Sequence, residues 1–251
     1  MPLLRDAQII EHFHLALLQV LQARLDQASY IVKGGANLRY FFDSVRYSED
    51  IDFDVRRIEA SALADKVDEI LASPAIRTVL RSGGLEVKEV TKPKQTETTQ
   101  RWKVALAVAG RSEPVRTKIE FSHRNGDDRY VLEAVPGRVV APYALRAPTV
   151  MHYKTEAAVE QKVLALARRN ETQARDVFDL ELLFRRVPVT RVTIDASVLE
   201  SAAERALGLP YAAFRDQVLP FLDPEVAELY ADPAIWEQMQ AFVVDWLHAP
   251  T

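Results

Sequence analysis

The sequence predicts an N-terminal α/β domain over residues 1–145 and a helical C-terminal domain over residues 146–251. Three observations carry this. "SYIVKGG" and "DIDFDV" are short strand-like runs on either side of a glycine pair and the brief helix "ANLRYFF". Three further strand-like runs, "LEVKEVTK", "RWKVALAVAG" and "VRTKIEFSHR", are joined by polar connections, as in an antiparallel meander. From about residue 154 onward the spacing is helical. Strands followed by a run of helices is an α+β order of elements.

Taken in chain order, residues 6–26 predict an amphipathic helix, its apolar positions broken by charges as a signal peptide's would not be. After "DIDFDV", the stretch "EASALADKVDEILAS" predicts a helix that stops near Ser73 and Pro74. The three meander strands follow, and "YVLEAVP" adds another. "KTEAAVEQKVLALARR" and "ARDVFDLELLFRR" form a helix pair around "NET", with further helices at 194–207, 211–219, 224–230 and 232–247. There is no internal repeat and no low-complexity segment.

Composition narrows the class. Of 251 residues 48% are hydrophobic and 27% charged, as in a soluble globular protein. No apolar run approaches a membrane span. There are no cysteines, which removes disulfides and thiolate metal sites; a cytoplasmic location is the simplest expectation. The net charge of −4 conceals a split. Residues 1–186 hold 29 Lys/Arg against 26 Asp/Glu, and residues 187–251 hold 3 against 10. Residues 76–129, with 12 against 7, are the better surface for a phosphate-rich partner.

The stretch "KGGANLRYFFDSVRYSEDIDFDV", residues 33–55, carries the chemistry. In a strand, residues two apart share a face, so Asp50 and Asp52 stand side by side while Ile51 and Phe53 anchor the other face. Adjacent carboxylates repel unless a cation lies between them, and Mg²⁺ prefers such oxygen ligands while keeping room for water and phosphate. A solvated edge strand is the plain alternative. An EF-hand loop fails, because its glycine position is Val55 and its bidentate glutamate position is Ser61. A metal-dependent glycosyltransferase stays open. Gly34 and Gly35 follow a strand and open a helix, where backbone can approach a ligand closely and unpaired N–H groups face an anion. No Gly-Lys-Ser/Thr follows, so this is not a Walker A loop. Lys33, Arg46 and Ser48 flank the two elements as candidate phosphate contacts, Ser48 alternatively fixing its turn. The five histidines show no metal-ligand spacing on a shared element beyond His12 and His14, which are two apart on a helix and face different ways.

Gly34-Gly35, Leu38 and "RYSEDIDFD" (46–54) resemble the first motif of the nucleotidyltransferase AbiEii toxin family, within the DNA polymerase β-like nucleotidyltransferase superfamily. Ala36 stands where the family often has threonine. The resemblance runs from about residue 28 to about residue 185 and fades over the acidic C-terminal stretch.

The resemblance implies a polymerase β-like fold with a mixed sheet, and transfer of a nucleoside monophosphate from an NTP with release of pyrophosphate. It makes Asp50 and Asp52 Mg²⁺ ligands and makes Glu120, in "VRTKIEFSHR", a third ligand and candidate base. It adds Lys162 from "VEQKVLALARR" and Asp176 from "RDVFDLELL", which a helical hairpin turning near Asn170 brings within reach of each other. The lysine would neutralise triphosphate and the aspartate would orient it or assist the base. It also implies a toxin with a cognate antitoxin, acting on tRNA. Transfer to a protein or small molecule, or a catalytically weak binding or regulatory module of the same fold, are the competing expectations.

Overall fold

The computed structural model describes residues 4–123, 127–187 and 192–249. Arg124, expected on the polar face of the third meander strand, lies outside the described residues. The chain divides into two compact units, Met1–Phe41 with Tyr47–Tyr153, and Phe42–Arg46 with Lys154–Thr251. No helix among the described residues is long and apolar enough to cross a membrane.

The first unit is built on seven strands: β1 (Tyr30–Lys33), β2 (Asp50–Val55), β3 (Leu85–Gln95), β4 (Thr99–Val108), β5 (Val115–Ser122), β6 (Tyr130–Ala134) and β7 (Thr149–Tyr153). Their order is β3-β4-β5-β2-β1-β7-β6. The meander is present, with β3, β4 and β5 antiparallel in sequence. β2 then joins β5 in parallel and β1 antiparallel, which makes the sheet mixed.

One added helix and one boundary differ from the sequence expectation. The helix expected to end near Ser73 does end there, as α3 (Ala60–Ala72), but a second helix, α4 (Pro74–Arg81), starts at once. Ser73 serves both: it closes α3, and its hydroxyl accepts the Ile76 N–H, with Pro74 at a position where its missing N–H costs nothing. The first unit also runs to Tyr153 instead of 145. Thr149–Tyr153 pairs along its length with β6 and meets β1 at Val32, so it belongs to the sheet.

Helix α1 (Asp6–Arg24) is less amphipathic than its charges suggest, being covered on most sides. Its Glu11 is buried but pairs with Arg39 at 2.7 Å and accepts the Tyr143 hydroxyl at 2.7 Å. Burial pushes His12 down to about 4 and His14 down to about 3, so both are neutral near pH 7.

The core face of the sheet holds an aromatic row across four strands. Phe53 on β2 and Phe121 on β5 are register partners whose rings stack at 4.6 Å. Tyr30 meets Phe53 edge-on at 5.7 Å, and Trp102 meets Phe121 edge-on at 5.8 Å. All four are fully buried. Because strand side chains alternate, this row fixes what stands on the opposite face.

With α5 (Gly137–Val140) in the first unit, the second packs α6 (Thr155–Arg168), α7 (Ala174–Phe184), α8 (Ala196–Leu207), α9 (Tyr211–Gln217), α10 (Pro224–Leu229) and α11 (Pro233–Leu247). Arg205 donates to the Ala167 carbonyl at 2.8 Å and to the Arg169 carbonyl, covering the open C-terminus of α6. The Gln217 side chain accepts the Ala174 N–H at the start of α7. The acidic stretch after residue 186 is a packed part of this unit: Phe214, Trp236, Met239 and Val243 are buried, with Trp236 stacked on Phe214 at 4.8 Å.

Phe121→Ala should destabilise the protein by about 3–5 kcal/mol, since it empties the middle of the aromatic row. A shift of the denaturation midpoint in urea at unchanged slope would show this; a loss below 1 kcal/mol, roughly that of an ordinary surface change, would mean the row does not organise the core.

Candidate active site

The register places the predicted carboxylates on the polar face. Asp50 pairs with Lys118, Asp52 with Glu120 and Asp54 with Ser122 along β2 and β5. Across the other edge Lys33 on β1 stands opposite Asp52, and Arg101 on β4 stands opposite Glu120. One row across the sheet therefore reads Lys33, Asp52, Glu120, Arg101.

The glycine turn stands over this row. Gly34 has φ +66°, a conformation that side-chain-bearing residues adopt at a cost. A Cβ at Gly34 would come within 3.0 Å of Asp52 Oδ2, so a side chain is resisted by space as well as by backbone. Helix α2 (Gly34–Phe41) begins at this residue and includes Gly35, and the N–H groups of its first turn have no partner within the helix.

The cations on this face are divided unevenly among the carboxylates. Lys33 pairs with Asp54 at 2.5 Å, which also accepts the Tyr153 hydroxyl at 2.6 Å. Arg101 pairs with Glu120 at 2.6 Å, and Lys118 with Asp50 Oδ2 at 2.6 Å. The other Asp50 oxygen, Oδ1, is buried with no hydrogen-bond partner. Burial pushes the Asp52 carboxyl up to about 6, and the neighbouring Asp50 charge pushes the same way. A buried carboxylate oxygen without a donor, beside a carboxyl biased toward protonation, marks a place short of positive charge. A hard divalent cation fits such a donor pair. Among the described residues no three His, Asp or Glu side chains form a ligand group as placed. Asp50 and Asp52 stand side by side on β2, and Glu120 stands next in register but is engaged by Arg101.

Other predicted residues have more local tasks. Ser48 donates its hydroxyl to the Asp50 carbonyl at 2.7 Å, fixing the turn. Thr117 donates to the Glu49 carbonyl at 2.8 Å and takes the buried His14 Nε2–H at 2.8 Å, tying α1 to the start of β2. Lys33 faces the row as expected, but its ammonium is held by Asp54.

A second charged cluster lies inside the helical unit. The α6–α7 hairpin brings Lys162 and Asp176 together at 2.9 Å. Lys162 also lies 2.6 Å from Asp179, and Arg46 grips the same Asp179 through Nε and Nη2 at 2.8–3.1 Å. Asp176 and Asp179 are fully buried, and Arg46 nearly so. Arg46, expected at a phosphate, is thereby committed to a buried carboxylate. Burial opposes charge on Lys162, yet the Asp179 and Asp176 charges hold its pKa above the ordinary value. Burial likewise opposes charge on Asp179, and Arg46 with Lys162 outweighs it, so its pKa is lowered. Asp179 and Lys118 were not assigned to the site from sequence, and Arg101 was expected only as a basic RNA contact of the 76–129 stretch. Asp179 could have been, since it lies three residues after Asp176 on one helix face. Lys118 and Arg101 depend on pairing across strands.

Two outcomes follow from these charges. The folded-state pKa of Asp52 lies above that of an unfolded carboxyl, so the metal-free fold gains stability as pH falls from about 6 to about 4 and loses it as pH rises through that window. Asp52→Asn should remove this slope, and magnesium should raise the wild-type melting temperature more above pH 6 than below pH 5; parallel melting curves for wild type and variant across the window would contradict the charge balance described. Lys162→Met should cost about 3–5 kcal/mol in urea denaturation, because it removes the cation shared by two buried carboxylates and leaves Asp176 only the Arg169 contact at 3.4 Å. A cost under about 1 kcal/mol, the range of surface pairs, would show the cluster to be solvated.

The family model of the nucleotidyl transferase AbiEii toxin, type IV TA system, matches residues 16–245. That span continues through the acidic stretch, where the motif resemblance had been expected to fade. No curated protein matches the chain in sequence. A nucleotidyltransferase candidate from Helicobacter pylori has a similar fold at TM-score 0.59 and 20% identity, over 98% of this chain and 97% of its own. JHP933 from the same species is similar at TM-score 0.58 and 20% identity, over 98% and 94%. At that identity these two support the fold alone. The family match covers most of the sequence, both units included, and the chain belongs to the AbiEii nucleotidyl transferase toxin family of type IV toxin–antitoxin systems.

Proposed function

We propose that this protein transfers a nucleoside monophosphate from an NTP to an acceptor in a magnesium-dependent reaction, and that the acceptor is tRNA. The observation that carries the chemistry is the Asp50/Asp52 pair beneath the Gly34 turn, with one buried oxygen unpartnered and Asp52 biased toward protonation. Asp50 and Asp52 would hold Mg²⁺, which when bound supplies charge that polarises the transferring phosphoryl group. The first-turn N–H groups of α2 at Gly34 and Gly35 bind phosphate oxygens. Glu120 orients the acceptor hydroxyl or takes its proton once it leaves Arg101. The resemblance adds Lys162 as a counter-charge for triphosphate and Asp176 as its orienting partner, with Asp179 and Arg46 fixing the lysine.

Family analogy makes tRNA the leading acceptor, and charge points to the surface that would meet it. The 76–129 stretch is basic, although Lys92 is paired with Asp68 and Arg101 with Glu120. Lys94, Lys103 and Arg116 have no ion-pair partner among the described residues and remain available to phosphates. The family's role supports a cognate antitoxin, and we place the site of action in the cytoplasm. Transfer to a protein or small molecule is the alternative if RNA is not labelled.

Incubation with each labelled NTP, total RNA and Mg²⁺ tests both parts. Wild type should label tRNA, and Asp50→Asn should lower the rate at least about 100-fold, the scale of losing a main electrostatic contact to the transition state, while melting at an equal or higher temperature. Full activity in Asp50→Asn would refute the mechanism. Lys94→Glu should weaken tRNA labelling and flatten its salt dependence by about one phosphate contact; unaltered labelling at moderate salt would favour another acceptor.

A further inference from the structure

Lys118 has two features that the proposed chemistry leaves unused. Its ammonium is the cation paired with Asp50 Oδ2, at 2.6 Å. It also lines a cavity of about 240 Å³ on the polar face of β3–β5, together with Lys103, Arg116, Asp50 and Glu49. Lys103 and Arg116 are exposed and make no hydrogen bond or ion pair among the described residues. Asp50 is 17% exposed and Lys118 37%, so the lysine has room to move and the aspartate does not.

An ammonium and a divalent cation repel each other at one carboxylate. A cation on Asp50 and Asp52 therefore competes with Lys118. Lys118 sits on a flexible four-carbon stem beside an open cavity, so the favourable exit leads toward Lys103 and Arg116. Three cations gathered there, with Asp50 neutralised by metal, form a binding site for a phosphate group. The cavity lining also holds Asp50, Glu49 and Glu89, which balance the three cations, so neutralising Asp50 with metal tips the lining to net positive.

We propose that Lys118 is an exchangeable counterion: it neutralises Asp50 in the metal-free protein and, displaced by metal, completes a phosphate-binding site with Lys103 and Arg116. This rests on the assignment of the metal to Asp50. The phosphate group is that of the leaving pyrophosphate or of a phosphodiester in the acceptor, and the cavity holds about one such unit, being smaller than the roughly 300–1,000 Å³ of pockets for larger ligands.

Calorimetric titration with Mn²⁺, then with inorganic pyrophosphate or a short RNA oligonucleotide, tests it. Lys118→Met should bind Mn²⁺ about tenfold tighter than wild type, because the competitor is gone. The Mn²⁺-loaded variant should bind one of the two phosphate probes roughly tenfold more weakly. Lys103→Ala should weaken the same probe and leave Mn²⁺ affinity unchanged. A loss confined to pyrophosphate assigns the site to the leaving group, and a loss confined to the oligonucleotide assigns it to the acceptor. Asp50→Asn separates the two levels: if it binds Mn²⁺ like wild type, the metal assignment itself falls. If Mn²⁺ requires Asp50 but Lys118→Met binds it no tighter, or neither probe weakens, the exchange is overturned.

Discussion

The stack of Phe53 on Phe121 is the contact on which the rest of the first unit depends. It locks β2 to β5 in one register, and Tyr30 and Trp102 extend the lock to β1 and β4. A slip of one residue would turn four large aromatic side chains out of the core and turn Asp52, Glu120, Lys33 and Arg101 into it. Both consequences are costly, so the packing of one face specifies the chemistry of the other. The neighbours of Asp52 are thus set by rings that never touch it.

The polar face is held short of full neutralisation at one point. Asp54 has a lysine and a tyrosine hydroxyl, and Glu120 has an arginine. Asp50 has one lysine for one oxygen, and Asp52 is left with a raised pKa. A protein selected only for stability would fill this gap with another donor. Retaining the gap beside a glycine with positive φ concentrates two local costs at one place, as functional sites commonly do.

The helical unit balances its charges more closely, although Asp176 Oδ2 is also buried without a hydrogen-bond donor. Asp176, Asp179, Lys162 and Arg46 are buried together, each carboxylate with a cation, and the net charge of the four is zero. Buried ion networks of this kind add little net stability but strongly penalise any geometry that separates them. Their effect here is to fix the orientation of Lys162, which is the member of the group that stays partly accessible, at 12% side-chain exposure.

By itself the sequence determined the strands, the meander, the helix pair and the shared face of Asp50 and Asp52, because these follow from local periodicity: two residues per repeat in a strand, about 3.6 in a helix. It also determined the glycine turn and, through the motif around it, the family. It missed β7 because "TVMHY" is short and borders a helical pattern, and only pairing with β6 and β1 makes it a strand. It assigned Arg46 to a phosphate because an arginine next to a catalytic motif has no visible partner in sequence; Asp179, far along the chain, is that partner. The tertiary structure alone decided which cation meets which carboxylate. Those pairings join residues as distant as Lys33 and Asp54, Asp50 and Lys118, or Arg46 and Asp179. Charge interaction depends on distance in space and on burial, and neither is a property of a local stretch of chain.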